Sequence, residues 1–379
     1  MQLKKSLTLS SITAAVLATS ALLHAENYVS VEYLQYDESD DRVSISAPML
    51  EVSYDINTDY NIKANIMFDA VSGATPSFIT NDNGDLFKGL QELDDSRKAA
   101  SVMLTSRFEN RDELYTGLDF SREEDYQSFT ASVEYMHYID ETHNTAINIG
   151  GSVGYNEILV YDGETGASGL STYDGDSGAS HTEDSLSYNL QVGVTQVLSK
   201  DSSMKLSAFV LSDDGYLTNQ HGIIVRDYNT PSARLDVENR PDTRVAYGFV
   251  GQYNKLLTAD TSFVGSYRFY SDDWDVTSHT LEGDVYTNVT DKLTLGIGLR
   301  YYTQTQADFY NENIDYFSSE VHASSDERLS DFDALTYKGS INYKQNDVLS
   351  YNLGAQFYQQ NTITDMSATI FTIGLKYKF

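Results

Sequence analysis

Apolar and polar residues alternate with a period of two over most of this chain. At the C-terminus Phe371, Ile373, Leu375, Tyr377 and Phe379 share one face, and Thr372, Gly374, Lys376 and Lys378 share the other. Leu293, Leu295, Ile297, Leu299 and Tyr301 repeat the pattern against Thr294, Gly296, Gly298, Arg300 and Tyr302. Tyr60, Ile62, Ala64, Ile66 and Phe68 do so again, as do Leu186, Tyr188, Leu190, Val192 and Val194. Successive side chains of a strand point to opposite faces, so each segment predicts a strand with one apolar and one polar side. About sixteen such strands are predicted on this pattern. They lie at 27–37, 42–56, 59–72, 98–109, 112–122, 125–139, 143–161, 184–199, 203–214, 241–257, 259–272, 275–290, 292–306, 332–345, 348–361 and 366–379.

The connections between them are unequal. Those at 73–97, 162–183, 215–240 and 307–331 are long, whereas Asp140-Glu141-Thr142, Ser199-Lys200-Asp201 and Gln345-Asn346-Asp347 mark short turns. Each long connection follows an odd-numbered strand, so all four leave the sheet at the same end. A soluble sandwich has no reason to sort its loops this way. A barrel in an outer membrane does, with long external loops and short periplasmic turns. The chain also ends on Phe379 after Tyr377 and Leu375, the form of the C-terminal signal read by the barrel-assembly machinery. The expected fold is therefore all-β, a transmembrane antiparallel up-and-down barrel occupying 26–379.

Composition narrows the setting. Lys4 and Lys5, an apolar stretch from Leu7 to Leu23 and the small residue Ala25 have the three parts of a secretory signal, so residues 1–25 are expected to be cleaved. Beyond them no segment approaches the roughly 20 apolar residues of a membrane helix. The chain has 4 Pro, 29 Tyr and 16 Phe, a balance that favours long, continuously bonded strands. It has no Cys, which excludes disulfides, thiolate chemistry and covalently attached c-type haem. A net charge of −31 repels phosphate backbones and argues against a nucleic-acid partner. The expected surroundings are outer-membrane lipid and lipopolysaccharide. No cofactor is expected, and the sequence displays no oligomer interface.

Alternation also sorts the charges. If Tyr267 and Phe269 face lipid, Arg268 faces the lumen, and by the same rule Glu282, Asp284 and Arg300 face inward. Pairing through the turns near Asp273 and Asp291 is expected to set Arg268 and Arg300 on either side of Glu282. Such a cluster serves either as a charged constriction or as a salt-bridge network bracing the wall. In the acidic loop, Asp162, Glu164, Asp174 and Asp176 offer oxygen ligands to a hard cation, without the spacing of an EF-hand. No catalytic motif of the HExxH kind occurs. Ser278 and His279 adjoin, but alternation puts them on opposite faces of one strand, so an enzyme is not expected.

The segment from Glu238 to Tyr310 is the most distinctive. It carries Asn239-Arg240-Pro241-Asp242, then Tyr267-Arg268-Phe269-Tyr270-Ser271-Asp272-Asp273-Trp274, Ser278-His279-Thr280-Leu281-Glu282 and Leu299-Arg300-Tyr301-Tyr302. With these motifs the chain resembles a bacterial family of outer-membrane β-barrels, domain of unknown function 3570. The resemblance extends over most of the mature chain and is least distinctive in the N-terminal third. It implies a barrel with no established activity, and places Asn239, Arg240, Pro241, Asp242, Arg268, Trp274, His279, Glu282 and Arg300 in the family's core motif. Two functions follow as expectations. One is a porin-like channel for small solutes or ions, with 215–240 or 307–331 folded inward to narrow it. The other is a non-conducting barrel that anchors or sheaths a periplasmic or surface partner.

Overall fold

The computed structural model describes residues 27–80, 86–161, 164–165, 171–172, 180–219, 221–228, 230–313, 315–361 and 366–379. Sixteen antiparallel strands close into a barrel. The first eight are β1 (Tyr28–Glu38), β2 (Val43–Asp55), β3 (Tyr60–Thr80), β4 (Leu86–Arg107), β5 (Glu113–Arg122), β6 (Tyr126–Tyr138), β7 (Thr145–Tyr161) and β8 (Ser180–Ser199). The rest are β9 (Ser202–Gly215), β10 (Thr243–Leu256), β11 (Thr261–Asp272), β12 (Thr277–Thr290), β13 (Leu293–Gln304), β14 (Phe332–Lys344), β15 (Leu349–Asn361) and β16 (Met366–Lys378). Each strand pairs with its neighbours in sequence, and β1 closes the ring on β16, with Tyr28 opposite Lys378 and Glu38 opposite Ala368. Closure leaves no strand edge, the condition for spanning lipid with sheet.

The alternation read in the sequence becomes an outside and an inside. Ile297 is 69% exposed and Leu281 60% exposed on the outer face. Polar and charged residues such as Asp69, Arg97, Glu134 and Asn148 are buried on the inner one. Tyr60, Tyr253, Tyr301 and Tyr377 are exposed on the outer surface, as a girdle requires. Their place near strand ends predicts a girdle of Tyr28, Tyr60, Tyr253, Tyr301 and Tyr377, and Tyr28 is the correction to it. It is buried toward the lumen, donating to Glu51 Oε1 at 2.5 Å, with the Lys376 ammonium 3.6 Å from its ring centroid.

A second correction concerns 73–97, expected as a long loop. β3 and β4 instead pair without interruption from Tyr60 opposite Ser106 to Thr80 opposite Leu86. Past a membrane both faces of a hairpin meet water, so the alternation that marks a spanning strand is lost although pairing continues. The other three long connections, now 162–179, 216–242 and 305–331, do leave at one end, together with the short turns 39–42 and 123–125. The opposite end carries only short turns, among them 56–59, 108–112 and 345–348. The secretory signal, with Lys4, Lys5 and Ala25, lies outside the described residues.

The two faces predict opposite responses to charge. Ile297→Arg on the outer face is expected to cost about 2–4 kcal/mol of stability in lipid vesicles, the range for a cation at bilayer depth. Gln252→Arg, lumen-facing, should cost far less. Denaturant unfolding followed in vesicles reads both, and equal losses would contradict this assignment of faces.

Candidate functional site

The two longest connections fold into one body. Ile223–Arg226 pairs antiparallel with Arg234–Val237, and parallel with Asp315–Tyr316 from the other connection. Isolated bridges join Asn239 to Ala323 and Tyr310 to Ser324. Ile224 and Ala323 are fully buried there with Tyr316, whose hydroxyl donates to the Ser324 carbonyl at 2.7 Å. A second apolar cluster of Trp274, Val276, Ala307, Tyr310 and Leu329 joins this cap to the β11–β12 turn. The cap is tethered around the barrel mouth. Arg42 of the β1–β2 turn reaches Glu327 at 3.1 Å, and Gln304 of β13 donates to the carbonyls of Arg328 and Ser330. His221 Nε2 lies 2.7 Å from Asp125 of the β5–β6 turn.

A buried charge network locks the cap. Arg240 contacts Glu238 Oε1 at 2.5 Å, an ion contact outside hydrogen-bond geometry, and its Nη2 donates to Asp326 Oδ2 at 2.9 Å. Glu238 also accepts from the Asn219 amide and the Ser324 hydroxyl, while Arg328 Nη2 donates to Asp326 at 2.7 Å. Burial would push the Asp326 carboxyl up, but the guanidinium groups of Arg328 and Arg240 hold it well below the usual carboxylate range. Burial opposes the charge on Arg240, and Glu238 and Asp326 overcome it, raising its affinity for the proton. Its neighbours in the distinctive motif carry the chain back to the wall. Asn239 donates to the Val321 carbonyl, Pro241 follows, and the Asp242 carbonyl accepts from the Gly215 amide.

Beneath the cap lies a cavity of about 520 Å³, bounded by the lumen face of the barrel. Trp274, 4% exposed, donates from Nε1 to the Thr243 carbonyl, and the Arg244 guanidinium lies 4.5 Å from its ring centroid. Asp272 accepts from Arg244 and from the amides of Trp274 and Val276, so one carboxylate shapes the turn and fixes the cation. Lower on the same wall Arg300 Nε is 3.9 Å from Glu282, and Lys338 Nζ reaches Glu282 at 2.6 Å and Asp284 at 2.5 Å.

The charge cluster thus differs from the one expected. Register sets Ser266, not Arg268, opposite Glu282, while Arg268 faces Thr280. Arg268 instead lies over the rings of Phe209 and Tyr270, at 5.3 and 5.9 Å from their centroids. Lys338 is the cation that sequence reasoning missed, since only adjacent hairpins were paired. It reaches Asp284 across β13 because Gly298 stands between them, where any Cβ would collide with both. A glycine facing the lumen between inward charges was the available signal.

The remaining candidates scatter. His279 points outward, its Nδ1 sharing a hydrogen bond with the Tyr267 hydroxyl at 2.7 Å, whereas Ser278 is buried inward. Leu375, Tyr377 and Phe379 are exposed on the outer face at the short-turn end. Of the acidic loop, Glu164 belongs to a two-residue strand paired with Ser171–Thr172, and Asp162, Asp174 and Asp176 lie outside the described residues. Among the described residues, the carboxylates gathered with ligand atoms within 4.8 Å of one another are Asp95, Glu123 and Asp125, the donor type suited to a hard cation.

The network predicts how the cap opens. Removing one partner of a buried ion pair costs about 3–5 kcal/mol. Arg240→Met should therefore accelerate proteolysis within 216–242 and 305–331 by about 100-fold or more where cleavage tracks opening, with the barrel intact on heat-modified gels. A carboxylate held below its ordinary range stabilises at every pH above that range, and this is lost progressively as pH falls from the ordinary value to the lowered one. In the wild-type protein the cap's protection at about pH 5 should therefore match that at neutrality. Unaltered cleavage of Arg240→Met, or protection already lost at mildly acid pH, would contradict the lock.

Solved structures similar to this chain are outer-membrane barrels of low identity. A bacterial polysaccharide outer membrane secretin shares 8% identity at a TM-score of 0.50, over 94% of this chain and 100% of that one. A mutant ferric enterobactin receptor from Pseudomonas aeruginosa shares 11% at a TM-score of 0.49, over 90% of this chain and 55% of that one. This chain thus spans about half the receptor's length. The CymD monoaromatic hydrocarbon channel shares 7% at a TM-score of 0.43, over 94% and 89%. At such identities the likeness is one of fold alone. No curated protein matches the sequence. The family described as "Protein of unknown function (DUF3570)" matches residues 5–91 and 90–370, nearly the whole chain, and the protein belongs to that family.

Proposed function

We propose that this outer-membrane barrel is a porin-like channel for small solutes or ions, its external mouth narrowed by the cap formed from 216–242 and 305–331. The observation that carries this reading is the cavity directly beneath the cap, inside the barrel wall, with Arg97, Asp213 and Arg268 in its lining. A barrel of sixteen strands is wide enough to enclose an aqueous lumen. Arg300, Glu282, Lys338 and Asp284 project into it, and fixed charges in a narrow path select among ions. The reading requires no catalysis, and its surroundings are lipid, lipopolysaccharide and the assembly machinery that inserts such strands.

A second reading, a non-conducting barrel that presents its cap to a partner, has one observation in its favour. Phe317 and Val321 stand 71% and 66% exposed on the cap, in an otherwise polar turn.

Single-channel recording of the refolded protein in planar bilayers separates the two. The channel reading predicts stable openings. It also predicts that Glu282→Gln shifts their selectivity toward anions, because Arg300 and Lys338 lose a neutralising carboxylate. A barrel that is correctly folded yet silent would overturn it in favour of the scaffold.

A further inference from the structure

The cations of the inner wall and the cap are nearly all matched by carboxylates. Arg244 is held by Asp272, Arg240 and Arg328 by Asp326, Arg97 by Asp69, and Lys338 by Glu282 and Asp284. The acids lining the same cavity are likewise engaged. Asp213 accepts from the Ser187 hydroxyl at 2.6 Å, and Asp125 faces His221. Arg268 is different. It lines the cavity, is exposed to it, and among the described residues has no carboxylate within ion-pair distance. Its neighbours are aromatic, Phe209 and Tyr270.

This setting is built into the strands. Phe209 belongs to β9 and Arg268 to β11, two strands apart. Gly248 of β10 lies between them, paired with Phe209 on one side and Tyr270 on the other. A Cβ at Gly248 would run into the Phe209 ring, so the glycine lets that ring cross β10 and lie against the guanidinium. Among the described residues the Arg268 guanidinium makes no hydrogen bond, so its N–H groups remain available to a planar, two-oxygen acceptor. Tyr302 sits level with Arg268 through Thr280, which pairs with both, and adds a further aromatic wall to the cavity.

We propose that Arg268 is the anchor of a subsite for small aromatic carboxylates, whose carboxylate pairs with the guanidinium edge while the ring packs among Tyr270, Tyr302 and Trp274. The volume of about 520 Å³ falls within the roughly 300–1,000 Å³ range of small-molecule pockets. The inference deepens the channel reading by naming its solute class, yet occupancy of the subsite is measurable without conduction.

Trp274 is the sole tryptophan of the chain and lines the same cavity, so its fluorescence reports occupancy. The test titrates the detergent-folded full-length barrel with benzoate, and in parallel with benzamide, its neutral isostere. Benzoate is expected to produce a saturable change and benzamide none at the same concentrations. Arg268→Gln, checked for folding by heat-modified mobility, should weaken benzoate binding at least tenfold, and Arg268→Lys should weaken it less. Equal binding of benzoate and benzamide by the wild type, absence of saturable benzoate binding, or an unchanged affinity in folded Arg268→Gln would each overturn the subsite. The benzoate–benzamide comparison stands even if the variants do not fold. Saturable binding in a barrel silent in bilayers would retain the subsite and reject the channel, and openings without benzoate binding would do the reverse.

Discussion

Every other feature of this protein depends on one constraint, that backbone amides and carbonyls within lipid must find partners in the protein itself. The chain meets it by pairing each strand with its sequence neighbours and bringing β16 back to β1. Once the ring is closed, alternate residues are committed outward or inward, and the same period of two that makes Ile297 and Leu281 lipid-facing makes Gly298 and Glu282 lumen-facing. The acidity of the chain then falls where water is, in the lumen, the turns and the cap.

The cap answers a different problem. Its two connections meet water on one side and the polar lumen on the other, so they lack an apolar bilayer to define their faces. Their stability comes from small apolar clusters, with Ile224, Tyr316 and Trp274 at their centres, and from the Glu238–Arg240–Asp326–Arg328 network. Isolated charges of this burial would be costly. Set between opposite charges and hydrogen-bonded, they tie two connections distant in sequence into one geometry. The same turn chemistry extends to the wall, where Asp272 both caps the β11–β12 turn and holds Arg244 against Trp274.

The barrel was legible in the sequence because lipid enforces alternation, and loop parity then followed from antiparallel pairing. Legibility failed where that enforcement ends. The 73–97 segment is a continuation of β3 and β4 whose polar residues conceal a strand, and Tyr28 sits at an inward position that an aromatic residue does not itself disclose. The lumen charges were read correctly as inward, but their partners depend on strands two apart. Lys338 therefore escaped notice, and Arg268 was assigned a carboxylate that the register gives to Arg300. The folding of 216–242 onto 305–331 rests on contacts between residues some ninety apart, such as Asn239 with Ala323 and Arg226 with the Phe317 carbonyl, which no local pattern encodes.

The central claim is that the cap narrows a lumen which otherwise conducts. Its most direct test is the bilayer conductance of a variant in which residues 309–326 are replaced by a short Gly/Ser turn, compared with the intact protein. The account predicts a folded barrel whose unitary conductance is clearly larger and less ion-selective than that of the wild type. A folded variant as silent as a lipid bilayer, or one with conductance identical to that of the wild type, would contradict it.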